Sequence, residues 1–219
     1  MVVNAVSGLL SEPRMRDYKL CCDGDELRAL DLYVWNMQVS AAFGETIGFL
    51  EVALRNTLAG RMHARHVRKR RSGSWLDDPA GELAPRARAD IAEARRRVLG
   101  KRKPLTADQV ITELNFGFWR FLLANQYRTT LWPDLLRGFA HIPGSDQRSA
   151  LDGRVRRLHD LRNRLAHHEP VWNKPLEDRA RDARDVLGYL DPVAASWWND
   201  RHCRIEALLD ACPVVRPRA

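Results

Sequence analysis

Residues 41–67, AAFGETIGFLEVALRNTLAGRMHARHV, contain the pattern that decides the fold class of this chain. Ile47, Leu50, Leu54 and Leu58 recur at intervals of three and four, which places them on one face of an α-helix. The stretch therefore predicts an amphipathic helix with one buried face. Neither an alternating strand pattern nor an Asn-Gly hairpin signal occurs here or elsewhere in the sequence.

Further helices are predicted on both sides of this stretch. Upstream, Asp23–Asp25 can cap a helix whose apolar residues also recur at three and four, namely Leu27, Leu30, Tyr33, Val34 and Met37. Downstream, Thr106 and Gln109 form a capping-box pattern ahead of an apolar helix. The downstream helices are predicted over residues 86–100, 110–127, 175–190 and 192–211, and a further helix, after the turn-rich segment around Pro143, ends at about His168.

The sequence thus predicts an all-α fold, with residues 1–219 forming a single helical domain. The chain is 45% hydrophobic over its 219 residues, which suffices for a sizeable core. Within this domain, residues 1–22 form a segment that can be loosely ordered.

The N-terminus, the hydropathy and the cysteines together predict a cytoplasmic protein. The start, MVVNAVSGLLSEP, lacks the basic and long apolar regions of a signal peptide, and no run of about 18 apolar residues could span a membrane. The four cysteines, Cys21, Cys22, Cys203 and Cys212, match no zinc-binding spacing. We therefore expect a reducing compartment, with no metal and no other cofactor.

The chain has a net charge of +8, from 36 Lys and Arg against 28 Asp and Glu. Such a surplus favours polyanionic partners, with nucleic acid first and an anionic membrane surface second. The alternative explanation is a compositional bias, because Arg outnumbers Lys 31 to 5.

A polar cluster lies near the end of the helix predicted before Pro170, in LHDLRNRLAHHEP at 158–170. Asn163 and His167 are four residues apart and share a helical face, and Pro170 predicts that the helix ends at about His168. A histidine in the last turn lies at the negative end of the helix dipole, which suits an acid–base role. Arg162 can hold a phosphate through a bidentate fork, and such an Arg–His pair can cleave RNA without a metal.

The same residues also have a purely structural interpretation. Arg and His side chains near a helix C-terminus bind free carbonyls and complement the dipole. Spacing alone does not decide, because about one Arg followed by His five residues later is expected by chance in this composition. Arg61/His66 and Arg154/His159 share the spacing, and only the copy at Arg162 adds an adjacent Asn and a terminating Pro.

Three blocks of the sequence resemble the Abi-like abortive-infection proteins of the HEPN superfamily. They are LDLYVWNMQVSAAFGETIGFLEVALRNTL at 30–58, ITELNFGFWRFLL at 111–123 and LRNRLAHHEPVW at 161–172, in the order of the family. The resemblance spans roughly residues 25–200. It implies a HEPN-like helical bundle with additional flanking helices.

The resemblance also implies a function and partners. Active HEPN proteins are metal-independent endoribonucleases that leave 2′,3′-cyclic phosphate and 5′-hydroxyl ends, and they commonly dimerise with two motifs facing each other. His167 would be the acid–base group, Arg162 the phosphate-binding group and Asn163 the orienting residue. His168 is also within the allowed spacing, and Glu169 would support the site. The implied partners are RNA, a second copy of the chain and an antitoxin or regulatory protein, with no membrane, and the implied role is phage defence or toxin action.

A second polar cluster, EVALRN at 51–56, interrupts an otherwise apolar helix. Glu51 and Arg55 are four residues apart, with Asn56 adjacent. One interpretation is an exposed ion pair. The other is that these residues line the same pocket as the motif, where Glu51 positions a catalytic Arg or His and Arg55 adds a phosphate contact.

Basic and aromatic residues supply further candidate RNA contacts. The stretches 61–71 and 86–103 could guide RNA through phosphate contacts without sequence preference. The aromatic residues Trp35, Phe116, Phe118 and Trp119 fit a core at helical spacing, with a base-stacking platform as the alternative. The candidate RNA-binding cations are Arg61, Arg65, Arg68, Lys69, Arg70 and Arg71.

Two other functions stay open at the level of sequence. A HEPN domain with a silent motif would be a nucleic-acid-binding module, whose affinity falls with salt but survives His167→Ala. A structural or interaction domain would be indifferent to RNA.

Overall fold

The structure, a computed structural model, describes residues 2–201 and 204–215, without the side chains of residues 2–4 and 7. Over the described residues it is helical and contains no strand, which confirms the predicted all-α fold class. The α-helices in chain order are α1 (Val2–Leu10), α2 (Glu12–Cys21), α3 (Glu26–Arg68), α4 (Pro85–Gly100), α5 (Ala107–Glu113), α6 (Phe116–Phe121), α7 (Trp132–Leu135), α8 (Gln147–Ala166), α9 (Leu176–Leu190), α10 (Pro192–Arg201) and α11 (Arg204–Asp210).

The long helix α3 is the centre of the fold. Its 43 residues join the two stretches that the sequence predicted separately. Asp25 caps it as predicted, because its side chain accepts hydrogen bonds from the amides of Leu27 and Arg28 at 3.0 and 3.1 Å. α2, α6, α7, α8, α9 and α11 all pack against it.

The buried face of α3 was predicted correctly in its second half and only in part in its first half, where Leu30 and Tyr33 pack against the core. Ile47 is 1% exposed, and Leu50, Leu54 and Leu58 are fully buried. In the first half, Leu27, Val34 and Met37 are 60%, 53% and 49% exposed. A second set, offset along the helix, is buried instead, and it consists of Ala29, Leu32, Trp35, Asn36 and Val39.

The helix predicted over 110–127 is broken into α5 and α6. The break lies at Leu114, whose extended backbone ends α5, and Asn115 restarts the chain as the cap of α6. The Asn115 side chain accepts a hydrogen bond from the amide of Phe118 at 2.9 Å, an arrangement that competes with helix continuation. The predicted core role of Trp35, Phe116, Phe118 and Trp119 is confirmed, since all four are buried.

Both ends of the described chain pack onto this core. The expectation of a loosely ordered segment over residues 1–22 is corrected for α2, because its Met15 and Tyr18 side chains are each 1% exposed. At the other end, α9 confirms the helix predicted over 175–190. The helix predicted over 192–211 is seen as α10 and α11, and residues 202 and 203, with Cys203, lie outside the described residues.

Candidate active site

Helix α8 sets the direction in which the motif side chains point. Leu151, Val155, Leu158 and Leu161 are buried at intervals of three and four, which fixes the rotation of the helix against α3 and α9. Arg162, the next residue, is thereby placed at the edge of the core, with its side chain 43% exposed.

The motif helix ends earlier than the sequence predicted. It stops at Ala166 instead of His168, and His167 is the C-cap. His168 reverses the chain with a φ of +53°, in the left-handed region. The amides of His168 and Glu169 donate to the carbonyls of Leu165 and Arg164, the pattern of a Schellman motif. The local reversal, and not Pro170, therefore terminates α8.

The chain that follows the motif is held by Asn36, a residue that the sequence analysis did not single out. Asn36 is 5% exposed, and its Oδ1 accepts hydrogen bonds from the amides of Val171 and Trp172 at 2.9 and 3.1 Å. The available signal was a polar residue within the buried stripe of α3. Because buried amides need acceptors, this contact fixes the path of the backbone directly after the histidines.

A groove of about 510 Å³ runs between α3 and the end of α8. At its polar end Glu51 and Arg162 meet, and His168 also lines it. Apart from the hydroxyl of Ser40, the rest of the lining is apolar. It consists of Met37, Ala41, Gly44, Ile47, Gly48, Leu165 and Ala166.

Glu51 and Arg162 form an ion pair at the polar end of the groove. Arg162 Nε lies 3.8 Å from Glu51 Oε2. Burial raises the pKa of Glu51, while Arg162, Arg55 and the amide of Phe116 act in the opposite direction. The structure therefore brings Glu51 to the motif, as one interpretation of the second cluster expected. Arg55 lies beside this pair and donates to Asn56 Oδ1 at 3.3 Å.

The two histidines of the motif differ in their surroundings. Both are exposed, and His168 is the one that lines the groove. His167 keeps the helical relation to Asn163, because its amide donates to the Asn163 carbonyl at 3.1 Å. Arg164 Nη1 lies 2.8 Å from Glu169 Oε2. Glu169 therefore pairs with Arg164 and not with Arg162.

His159, which belongs to one of the chance copies of the spacing, lies close to Arg162. Its ring packs edge-on to Phe116, with the centroids 5.6 Å apart. Burial lowers the pKa of His159, and the charges of Arg120 and Arg162 act in the same direction against that of Asp160. The imidazole is thereby favoured in its neutral form next to the motif arginine.

The basic segment at the end of α3 does not form the free cationic face that the sequence predicted. Arg65 is 4% exposed and lies 2.7 Å from Glu82 and 3.4 Å from Asp134. A side chain so buried does not reach an RNA phosphate, so this prediction is corrected. The carboxylates also hold the other cations of the segment, since Arg68 pairs with Asp134 at 2.6 Å, and Lys69 and Arg71 pair with Glu82 at 3.4 and 2.7 Å.

Arg61 and Arg70 complete the segment. Arg61 Nε donates to the backbone carbonyl of Asp134 at 3.2 Å. Arg70 is exposed and reverses the chain after α3 with a φ of +50°. Of the six cations predicted to contact RNA, Arg70 is therefore the one for which the structure gives no polar side-chain contact within the described residues.

Among the described residues, no three His, Cys, Asp or Glu side chains are grouped so as to hold a metal ion. No helix in this part of the chain combines the length and apolarity needed to cross a membrane.

Comparison of the chain with models of known families, with curated proteins and with solved structures finds no match.

Proposed function

We propose that the protein is a metal-independent endoribonuclease of the HEPN type. The observation that carries the proposal is that the Arg162–Glu51 pair and His168 line one groove, with His167 exposed next to His168 in the chain. The order of the three sequence blocks supports the same function. A role as a toxin or abortive-infection effector rests on that resemblance.

The chemistry needs one proton acceptor, one proton donor and one fixed positive charge. A neutral imidazole takes the proton of the 2′-hydroxyl, O2′ attacks the adjacent phosphorus, and the bond from phosphorus to O5′ breaks. The leaving oxygen receives one proton, so the products are a 2′,3′-cyclic phosphate and a 5′-hydroxyl. Arg162 stabilises the extra charge on the phosphorane, and Glu51 orients its guanidinium. His167 is the first candidate for proton transfer, and His168 is the alternative.

The active form in this proposal is a homodimer. On α3, Val34, Met37 and Val52 are 53%, 49% and 44% exposed, beside Gly44 and Gly48, which carry no side chain. This apolar face, which sequence analysis did not identify, suits a helix of a second copy. Covering it would place the apolar part of the groove in the interface, leave the Arg162–Glu51 pair at the edge for RNA, and supply a second histidine for the second proton transfer.

Cleavage of end-labelled single-stranded RNA in EDTA tests the proposal. The variants are Arg162→Ala, His167→Ala and His168→Ala, and Arg164→Ala is the matched control, because Arg164 lies in the same motif but pairs with Glu169. We expect Arg162→Ala and one of the two histidine variants to lose cleavage while staying folded. Equal cleavage by all the variants would refute the proposal. RNA binding without cleavage by the wild type would establish the silent binding module instead.

A further inference from the structure

A cation from the N-terminal part of the chain reaches the motif. Arg14, on α2, donates a hydrogen bond from Nη2 to the carbonyl oxygen of His168, which lines the groove. The position of α2 is fixed by Met15 and Tyr18, both buried. Tyr18 also packs against Trp172, with ring centroids 6.3 Å apart, so α2 is anchored on the chain that follows the motif.

The guanidinium of Arg14 keeps most of its binding capacity. It has five N–H donors in a planar fork, and the His168 carbonyl uses one of them. No carboxylate pairs with Arg14 among the residues that the structure describes. Arg65 and Arg71, by contrast, are neutralised by Glu82. Arg14 is therefore a charge held beside the motif and still able to bind an anion.

We propose that Arg14 binds a phosphate that neighbours the scissile one, so that the substrate is an RNA strand with at least one flanking phosphate. The proposal rests on the proposed function, in which Arg162 holds the scissile phosphate. A guanidinium fork binds phosphate bidentately, and one of its edges remains available while Nη2 contacts His168. Arg162 lines the groove, and Arg14 contacts the backbone of His168, another lining residue, so cations lie at two places along the motif.

Binding of a non-cleavable oligonucleotide, fully 2′-O-methylated RNA, is measured by fluorescence anisotropy between 50 and 300 mM salt. The variants are Arg14→Ala and Arg14→Gln, and the matched control is Arg16→Ala, an exposed arginine of the same helix. We expect both Arg14 variants to weaken binding by about tenfold and to reduce the salt slope by about 0.7, as for one lost phosphate contact on a single strand. Arg16→Ala should change affinity less than about twofold.

The glutamine variant removes the positive charge and keeps a polar, uncharged side chain, so it tests the charge with a smaller change in side-chain volume than alanine. Binding by Arg14→Gln equal to that of the wild type would show that Arg14 only supports the fold, and would overturn the inference. A second measurement uses cleavage of a dinucleoside monophosphate, which has no flanking phosphate. Arg14→Gln should slow cleavage of the oligonucleotide and leave that of the dinucleotide unchanged.

The outcomes keep this inference apart from the proposed function. If the wild type cleaves the oligonucleotide and the Arg14 variants cleave it equally well, only the inference is contradicted. Binding that depends on Arg14, without any cleavage, contradicts the nuclease alone and supports the contact. Absence of binding by the wild type contradicts both.

Discussion

Two helix ends in this molecule carry the same spacing of Arg and His and differ in almost everything else. At the end of α3, His66 is 4% exposed, and Arg61 donates to the backbone carbonyl of Asp134. At the end of α8, the Arg162 side chain is 43% exposed and both histidines are accessible. Both ends close with a non-glycine residue in the left-handed region, Arg70 at +50° and His168 at +53°.

The difference comes from carboxylates supplied by distant parts of the chain. Glu82 and Asp134 approach the end of α3, where they enclose the buried Arg65 and pair with Arg68, Lys69 and Arg71. The end of α8 receives Glu51 at 3.8 Å and keeps its histidines free. A motif read from spacing alone therefore describes both ends equally well, and the surroundings decide which one is available for chemistry.

The largest expected effect is on cleavage, when the same substitutions are made at both ends. Arg162→Ala should reduce the rate of RNA cleavage by roughly 100- to 1000-fold, the usual cost of losing a group that stabilises the transition state. Arg61→Ala and His66→Gln should each cleave RNA at a rate, per folded molecule, within about twofold of the wild-type rate. Initial rates normalised to folded protein by circular dichroism measure this, and an equal loss at both ends would remove the distinction.

A substitution of Asn36 tests whether the segment that follows the motif depends on a buried polar contact. Asn36→Leu leaves the amides of Val171 and Trp172 without their acceptor. We expect the free energy of unfolding to fall by about 2–4 kcal/mol, measured by urea denaturation. Gln38→Leu, at an exposed position of the same helix, is the control and should change it by less than about 0.5 kcal/mol. A small effect of Asn36→Leu would mean that the backbone relaxes around the contact.

A substitution of Glu82 tests whether the ion pairs at the end of α3 stabilise the fold. Glu82→Gln removes one of the two carboxylates that face the buried Arg65, so we expect a loss of about 2 kcal/mol in unfolding free energy. Glu93→Gln is the control, because Glu93 is 46% exposed and pairs with Arg96 and Arg97 on the surface. That change should cost less than about 1 kcal/mol. Equal effects of the two variants would contradict the structural role.

The same carboxylate predicts an acid-sensitive stability. The hydrogen bond from Arg71 lowers the pKa of Glu82 from its ordinary value of 4.5 to about 2, against the effect of burial. Because the pKa is lower in the folded chain, this stabilisation is complete above pH 4.5 and is lost as the pH falls towards 2. After solvent screening we expect it to be about 1–2 kcal/mol, seen as a pH dependence of the unfolding midpoint. In Glu82→Gln that part of the dependence should disappear.

The smallest expected effect concerns the feature that the two ends share. Glycine adopts the left-handed backbone without steric cost, so Arg70→Gly and His168→Gly should each raise the unfolding free energy by about 0.5–1 kcal/mol. Chemical denaturation measures both. Cleavage by Arg70→Gly should stay within about twofold of the wild type. If either variant lowers the unfolding free energy, the replaced side chain stabilises the fold by more than its left-handed backbone costs.

Sequence periodicity predicted most helices because each buries a local stripe, as Ile47, Leu50 and Leu54 do. Periodicity succeeded only in part in the first half of α3, where Leu30 and Tyr33 pack against the core but an offset apolar set is the more deeply buried. It failed at Leu114, where the Asn115 side chain offers the backbone an alternative to helix.

Only those residues of the candidate site that lie close together in the sequence could be predicted from the sequence. Arg162, Asn163 and His167 follow from one helix, and the approach of Glu51 was one of two open interpretations. The contacts of Asn36 and Arg14 join residues 135 and 154 positions apart. The pairing of Arg65 with Glu82 likewise depends on how the chain returns after α3. No local pattern contains such information, because it depends on tertiary packing.

The most direct test of the central claim is the chemistry of the RNA ends that the wild-type protein produces in EDTA. The substrate is a single-stranded RNA, compared with the same strand carrying one 2′-deoxy nucleotide at the cleaved position. The account predicts 2′,3′-cyclic phosphate and 5′-hydroxyl ends from the RNA and no cleavage at the deoxy position. Products with 5′-phosphate ends, or cleavage at the deoxy position, would contradict it.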